Sequence, residues 1–403
     1  MANITGKQKL KQQQKELEKD LASRIDSDEL PTANIIVAGI AGVGKSTLIN
    51  AVFGSKLAAT GIGLPVTDHI EEYQNEDIPI CIWDTVGFEL DSEKTEESIK
   101  SIKTTIASKA MSKDPYDRMH AIWYCILAGA GYRYQTAEQR FVKELHSLGV
   151  PFIIVLTQCS GDDDAVNAFE RSINEINASL GMEDIRTVQV LAEEVKIRGI
   201  PTPYPAFGLK DLVNTTLELL PEFIKSGFIA AQRVSQSEKR SQCEEIICEY
   251  VRAAQYGFWD RVPIVNIFIT DDKIMKMFRK LGEMYNAVLS TESIEKIMKD
   301  SGVDFENNFF GLISPFDMGY SRKITDLLEK KKEEDGYGGI NVEKKYRAAR
   351  MIAFYGYTFI DSIEELWNKL TVEQLKDVDM VVTNLIAIIN RKLNERKDKF
   401  GGR

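Results

Sequence analysis

The strongest chemical signal in the chain is the run Gly39-Ile40-Ala41-Gly42-Val43-Gly44-Lys45-Ser46-Thr47, which fits the spacing GxxxxGK[ST]. An apolar run precedes it, and the helical stretch STLINAVFG follows. Gly39, Gly42 and Gly44 allow the backbone to curl with its amides turned inward, and a helix beginning at Lys45 directs its positive end to the same place. Such a loop cradles a polyphosphate. Lys45 would bridge the β- and γ-phosphates, and the Ser46 hydroxyl would ligate Mg²⁺, a hard ion that prefers oxygen. A glycine-rich turn without a ligand is the plain alternative, and the flanking strand and helix argue against it.

A second signal is Asp84-Thr-Val-Gly87 after the apolar run at 78–83. It sets a carboxylate at the carboxyl end of a strand, where open α/β sheets bind ligands. Asp84 would hold a magnesium-bound water, and Gly87 would offer its amide to a γ-phosphate. The charged stretch that follows, FELDSEKTEE, would respond to the state of the nucleotide. Between loop and strand lies AATGIGLPVTDHI, a flexible connection by its glycines and proline. Thr67 would close the Mg²⁺ shell; it is preferred to Thr60 because it directly precedes the edge strand expected at 70–73. His69 reads as a surface residue of that connection.

Positioning these groups requires a sheet. Strand-like runs at 34–40, 78–83, 120–127, 152–156 and 187–191 alternate with helical stretches, the pattern of parallel strands joined by crossover helices. Near-continuous apolar character in NIIVAGI, AIWYCIL and FIIVL predicts strands covered on both faces. Beyond 221 the strand signal fades, and helical periodicity takes over at 232–256, 271–289, 342–370 and 371–399. The expected organisation is an N-terminal amphipathic helix within 1–30 (stripe Leu10, Leu17, Leu21, Ile25), an α/β domain over 31–221, and an all-α domain over 222–403. The stretch KKKEEDGYGG at 330–339 reads as a solvated connection between helices.

With 403 residues, 43% of them hydrophobic, the chain can bury two cores. Its net charge of -10 argues against a general nucleic-acid binder, which needs a basic surface to displace counterions. No apolar run approaches the roughly 20 residues of a membrane span, and the polar N-terminus lacks a secretory signal, so a cytoplasmic location is expected. The runs at 263–270 and 380–389 read as core elements. Cys81, Cys125, Cys159, Cys243 and Cys248 show no CxxC pairing, so buried free thiols are expected rather than a zinc site.

Over residues 33–221 the order of these motifs resembles the translation-factor-related class of P-loop GTPases, especially its Era-like and septin-like branches. The resemblance implies a G domain, GTP and GDP as ligands, Mg²⁺ as cofactor, and slow hydrolysis of GTP in a nucleotide-dependent switch. Its guanine-recognition motif, N/T-K-x-D, falls on Thr157-Gln158-Cys159-Ser160, and its fifth motif on Leu191-Ala192, with the Ala192 amide toward the base oxygen. Here Ser160 replaces the aspartate that accepts two hydrogen bonds from guanine, and one neutral hydroxyl cannot reproduce that pairing. Asp162 or Asp163 could substitute, or simply cap the following helix. Phe88 stands where many relatives carry the glutamine that orients water, and Gly42 where potassium-stimulated relatives carry asparagine.

The segments TGIGLPVTDHI, ICIWDTVG and AIWYCILAGAGYRYQTAEQRF resemble bacterial Era-type GTPases with a helical C-terminal domain, with echoes of interferon-inducible GTPases. That implies a protein partner, a ribosome-related particle, a peripheral membrane surface, or a second copy meeting through the nucleotide face. Arg133 would serve as a finger in that last case and is otherwise a solvated surface residue. Trp259, Tyr346, Tyr355, Tyr357 and Trp367 at helical spacing read as core. Two other function classes stay open: a nucleotide-gated scaffold without turnover, motivated by Phe88, and an ATP-preferring ATPase or kinase, motivated by Ser160.

Overall fold

The computed structural model describes residues 30–54, 64–67, 70–75, 78–85, 93–110, 112–128, 134–160, 163–196, 202–255, 268–287, 289–301, 320–335, 340–375 and 377–400. Two compact units are present, one spanning Pro31–Gln236 and the other containing Ser237–Arg403. The expected helix within 1–30 falls outside the described residues, apart from Leu30.

The first unit is built on a seven-stranded sheet. Its strands are β1 (Ala33–Gly39), β2 (Leu64–Thr67), β3 (Ile70–Asn75), β4 (Ile78–Thr85), β5 (Ala121–Leu127), β6 (Phe152–Thr157) and β7 (Arg186–Gln189). They lie in the order β2-β3-β4-β1-β5-β6-β7. The pairs β1–β4, β1–β5, β5–β6 and β6–β7 are parallel, whereas β2–β3 and β3–β4 are antiparallel. The strand at 70–73 is therefore not the edge. Leu64–Thr67, part of the segment AATGIGLPVTDHI whose glycines and proline predict a flexible connection, pairs outside it, with Thr67 opposite Ile70.

Side chains alternate across β1 as the pleat demands. Ile35 and Val37 join one core with Leu48, Ile49 and Phe53 of α1 (Lys45–Phe53), Leu212 and Val213 of α5 (Leu209–Leu219), and Ile224 and Phe228 of α6 (Glu222–Ala231). Ile36 and Ala38 join the opposite core. There they meet Ile102 and Ile106 of α2 (Glu93–Ala110), Phe141 and Val142 of α3 (Thr136–His146), and Val166 and Ile173 of α4 (Asp163–Ser179). That two-sided burial is why the central strands carry unbroken apolar runs. After β4 the chain crosses β1 to start β5, so the carboxyl end of β1 lies at the switch point of the sheet.

The first unit runs past the Pro221 boundary that the change of periodicity predicts. Helix α6 packs along β4 and β1. A Cβ at Gly227 would stand 1.6 Å from the Pro31 carbonyl, so glycine permits this close approach. The helix expected from 232 begins only at 236, because the Gln232 side chain accepts from the Val234 and Ser235 amides and turns the chain.

The second unit is helical: α7 (Gln236–Gln255), α8 (Phe268–Glu283), α9 (Thr291–Asp300), α10 (Arg322–Asp335), α11 (Ile340–Trp367), α12 (Val372–Leu375) and α13 (Val378–Phe400). Arg240 on α7 pairs with Asp361 at 3.0 Å and with Glu364, both on α11, and the Tyr285 hydroxyl donates to Glu364 at 2.8 Å. Two expectations are corrected here. Lys and Glu favour helix, and α10 continues through 330–335 instead of ending in a loop. The helix expected over 371–399 is interrupted, because the Asp377 side chain accepts from the Met380 amide at 3.0 Å and starts α13 anew. Tyr355 and Tyr357 are core, Trp367 is half-buried, and the Trp259 and Tyr346 side chains lie outside the description. The five cysteines are buried and free. Among the described residues no helix is long and apolar enough to cross a membrane.

Candidate functional site

The loop between β1 and α1 is fixed by where its carbonyls go. Lys45 Nζ donates to the Gly39 carbonyl at 3.0 Å and lies 3.3 Å from that of Ile40. Gln158 Nε2 donates to the Gly42 carbonyl at 3.3 Å, the Thr157 hydroxyl to the Val43 carbonyl at 2.6 Å, and the Leu48 amide to the Gly44 carbonyl at 3.0 Å. Every backbone unit carries one acceptor and one donor, so a loop whose carbonyls are held by its own protein is left with its amides for another anion.

Two glycines are demanded by this shape. At Gly39 (φ 147°) a Cβ would stand 2.5 Å from the Cys125 carbonyl of β5. Gly44 (φ 96°) is the left-handed residue that opens α1. Val43 anchors the loop in the core.

A cavity of about 570 Å³ opens beside the loop, lined by Ala41, Gly42, Gly44, Lys45, Ser46, Thr47, Asp84 and Gln158, and also by Glu71, Tyr73 and Thr85. Lys45 is buried in it, while Ser46 and Thr47 are exposed to it. Asp84 comes from the end of β4, across the ladder from Glu71 on β3. Burial pushes the Asp84 carboxyl up to about 6; the Lys45 ammonium pulls it back, and the Glu71 charge adds to the rise. The Tyr73 hydroxyl bonds to Glu71. Burial, that bond, and the Glu71 and Asp84 charges hold the phenol well above its usual range.

The donor set suits Mg²⁺. Asp84 lines this cavity and its Oδ1 is buried with no hydrogen-bond partner, and the exposed Ser46 borders the same cavity. These are hard oxygens awaiting a cation or its water.

The structure thus brings loop residues 41–47, Asp84 and Gln158 to one cavity. Gly39, Val43 and Thr157 support it from behind. Ser160 and Ala192 are half-buried and do not line it; Ser160 follows Gln158, which takes the left-handed conformation (φ 55°), and Ala192 packs beside the first core. Thr67 closes β2, but its side chain lies outside the description, as do Thr60, His69, Gly87, Phe88, Arg133 and Asp162. Asp163 is exposed in the first turn of α4. Sequence reasoning missed Glu71, Tyr73 and Thr85. The signal was present: two-residue periodicity puts Glu71 and Tyr73 on one face of β3, and antiparallel pairing carries that face to Asp84.

The mostly parallel sheet with helices on both faces is a G-domain fold, followed by a helical part. No curated protein matches the chain. Among solved structures, a probable GTP-binding protein EngB is 22% identical, with 46% of this chain and 98% of that one covered and a TM-score of 0.31. Era from Aquifex aeolicus, solved with GDP and aluminium fluoride, is 17% identical over 56% of this chain and 68% of its own, with a TM-score of 0.31. Elongation factor SelB from Methanococcus maripaludis, solved with a GTP analogue, is 16% identical over 48% and 35%, with a TM-score of 0.30. The phosphate loop, Asp84 and the Thr157–Gln158 pair all fall within residues 34–158, the segment that matches the family model described as 50S ribosome-binding GTPase.

Proposed function

We propose that the chain is a GTP-binding switch of the translation-factor-related class that hydrolyses GTP slowly to GDP and phosphate. The observation that carries this reading is the cavity in which the glycine-rich loop, Lys45, Ser46 and Asp84 meet at the carboxyl ends of the parallel strands β1 and β4. Loop amides 41–47 and the start of α1 bind the phosphates, and Lys45 moves from the Gly39 and Ile40 carbonyls to the β- and γ-phosphates. Ser46 and Asp84, with Thr67 when a γ-phosphate is present, would hold Mg²⁺, which neutralises charge on the phosphate oxygens when bound. Gly87 senses the γ-phosphate through its amide. Gln158, Ser160 and Ala192 would serve the base, and Phe88, which cannot orient the attacking water, leaves that task to another residue or to a partner, which makes intrinsic turnover slow.

The family match over 34–158 favours guanine. A second reading, an NTPase that tolerates adenine, is favoured by Ser160, whose single hydroxyl cannot make the charge-assisted pair that excludes adenine. The helical unit would report the nucleotide state to a partner: another protein, a membrane surface or a second copy.

Calorimetric titration with GDP, a non-hydrolysable GTP analogue and the matching ATP analogue, each with Mg²⁺, tests this. Guanine-selective binding that Lys45→Ala abolishes is expected. Equal affinity for the two bases would sink the guanine assignment, and binding that survives in Lys45→Ala would sink the phosphate site itself. Phosphate release in a single turnover no faster than in Lys45→Ala would reduce the protein to a nucleotide-gated scaffold.

A further inference from the structure

The phosphate cavity holds a charged group that the proposed chemistry does not use. Glu71 projects into it from β3, opposite Asp84 in the antiparallel ladder. Its carboxylate is held by the Tyr73 hydroxyl, two residues along the same face. Among the described lining residues the charged groups are Lys45, Glu71 and Asp84, two anions against one cation. The side-chain charge lining the cavity is therefore net negative before any phosphate enters. An anion is repelled from such a floor, and the repulsion is large where water is scarce.

A second observation points to a cation there. Asp84 lines this cavity, and its Oδ1 is buried with no hydrogen-bond partner. A buried carboxylate oxygen without a donor, with a second carboxylate opposite it in the ladder, suits a hydrated cation. Mg²⁺ keeps several of its waters, so a group such as Glu71 can serve it by accepting from those waters without direct ligation.

We propose that Glu71 makes nucleotide binding obligately coupled to a divalent cation: with Asp84 it repels a bare polyphosphate and welcomes a metal-complexed one. The inference rests on the nucleotide reading above and deepens it. Coupling is reciprocal, so the factor by which the cation tightens nucleotide binding is the factor by which nucleotide tightens cation binding. Glu71 enlarges that factor, and its removal shrinks it.

The test is equilibrium binding of fluorescently labelled GDP to the full chain, in millimolar Mg²⁺ and in excess EDTA, for wild type, Glu71→Gln and Tyr73→Phe. Glutamine keeps an acceptor for the Tyr73 hydroxyl while removing the charge. Glu71→Gln is expected to bind GDP about tenfold more tightly than wild type in EDTA, the scale of one unit charge several ångströms away in a partly screened site. In Mg²⁺ it should gain nothing, so the ratio of the two affinities contracts about tenfold. Tyr73→Phe keeps the charge and should keep the wild-type ratio. A ratio unchanged within about twofold in Glu71→Gln overturns the proposal, as does an equal contraction in Tyr73→Phe, which would trace the effect to geometry. If wild type binds no nucleotide even with Mg²⁺, the nucleotide reading itself fails and takes this inference with it.

Discussion

Replacing Thr157 by valine tests whether the end of β6 holds the phosphate loop in shape. Thr157 is 4% exposed, and its hydroxyl donates to the Val43 carbonyl at 2.6 Å across 114 residues of sequence. Valine has nearly the same outline and so removes the donor without opening a cavity, leaving the Val43 carbonyl unpaired where water does not reach. The net worth of an ordinary hydrogen bond is about 1 kcal/mol, but an orphaned buried acceptor costs roughly 1–3 kcal/mol. At 1.4 kcal/mol per tenfold, the loop should open about 5- to 150-fold more often. Hydrogen–deuterium exchange of the amides at 41–44 reads that change directly, and it does so without assuming that the two units unfold together. Nucleotide affinity should fall by a comparable factor, because the loop must be re-formed on binding. Exchange within about twofold of wild type would refute the reasoning: the loop would then hold its shape through the Gly42, Gly44 and Lys45 contacts alone.

Further outcomes follow from the same geometry. Gly39→Ala places a Cβ 2.5 Å from the Cys125 carbonyl at φ 147°, so the urea midpoint should fall by the equivalent of roughly 2–4 kcal/mol. Asp84, pushed up to about 6 in the fold against about 3.9 in an unfolded chain, makes the folded state bind the extra proton between those values. Stability of the nucleotide-free protein should therefore decline as pH rises from 4 to 6 and level off above, by up to about 3 kcal/mol. In Asp84→Asn that slope should be absent from the urea titrations. Arg240→Met removes the guanidinium that pairs with both Asp361 and Glu364, and should lower the thermal midpoint of the helical unit by several degrees, for a cost of about 1–3 kcal/mol. Restoring stability with Glu364→Gln in the same chain would confirm that the loss is electrostatic.

Much of this was legible in the sequence because its signals are local. The glycine spacing around Lys45 names its own backbone geometry, and the apolar runs of β1, β5 and β6 announce two-sided burial. Contacts between distant segments were less legible. Nothing adjacent in sequence says that Thr157 and Gln158 grip the loop, although their type as donors was visible. Leu64–Thr67 was missed as a strand because Gly61, Gly63 and Pro65 speak for a turn, while the outward ladder on β3 is what makes it one. Glu71 was passed over because a glutamate on a short polar strand reads as solvent-facing until Asp84 is set opposite it. Helix α6 fell on the wrong side of the expected boundary because helical periodicity does not say which core an apolar stripe joins; Ile224 and Phe228 join the sheet.

The placement of the carbonyls explains why the grip on the loop and the chemistry of the cavity are one device. Gly39 and Ile40 give their carbonyls to Lys45, the cation that in the proposed function also serves the phosphates. Gly42 and Val43 give theirs to Gln158 and Thr157, at and just beyond the end of β6. Without nucleotide, Lys45 is satisfied by the loop itself and does not lie buried and unpaired, a state that would be costly. With nucleotide, Lys45 can leave only if the loop keeps its curl by other means, and the Thr157 and Gln158 bonds supply them. The two variants are therefore coupled. In Thr157→Val the departure of Lys45 should cost more, and adding Lys45→Ala to Thr157→Val should destabilise the loop by more than the sum of the two single changes. Strict additivity in that cycle, measured by exchange at 41–44, would mean that the two sets of bonds hold the loop independently.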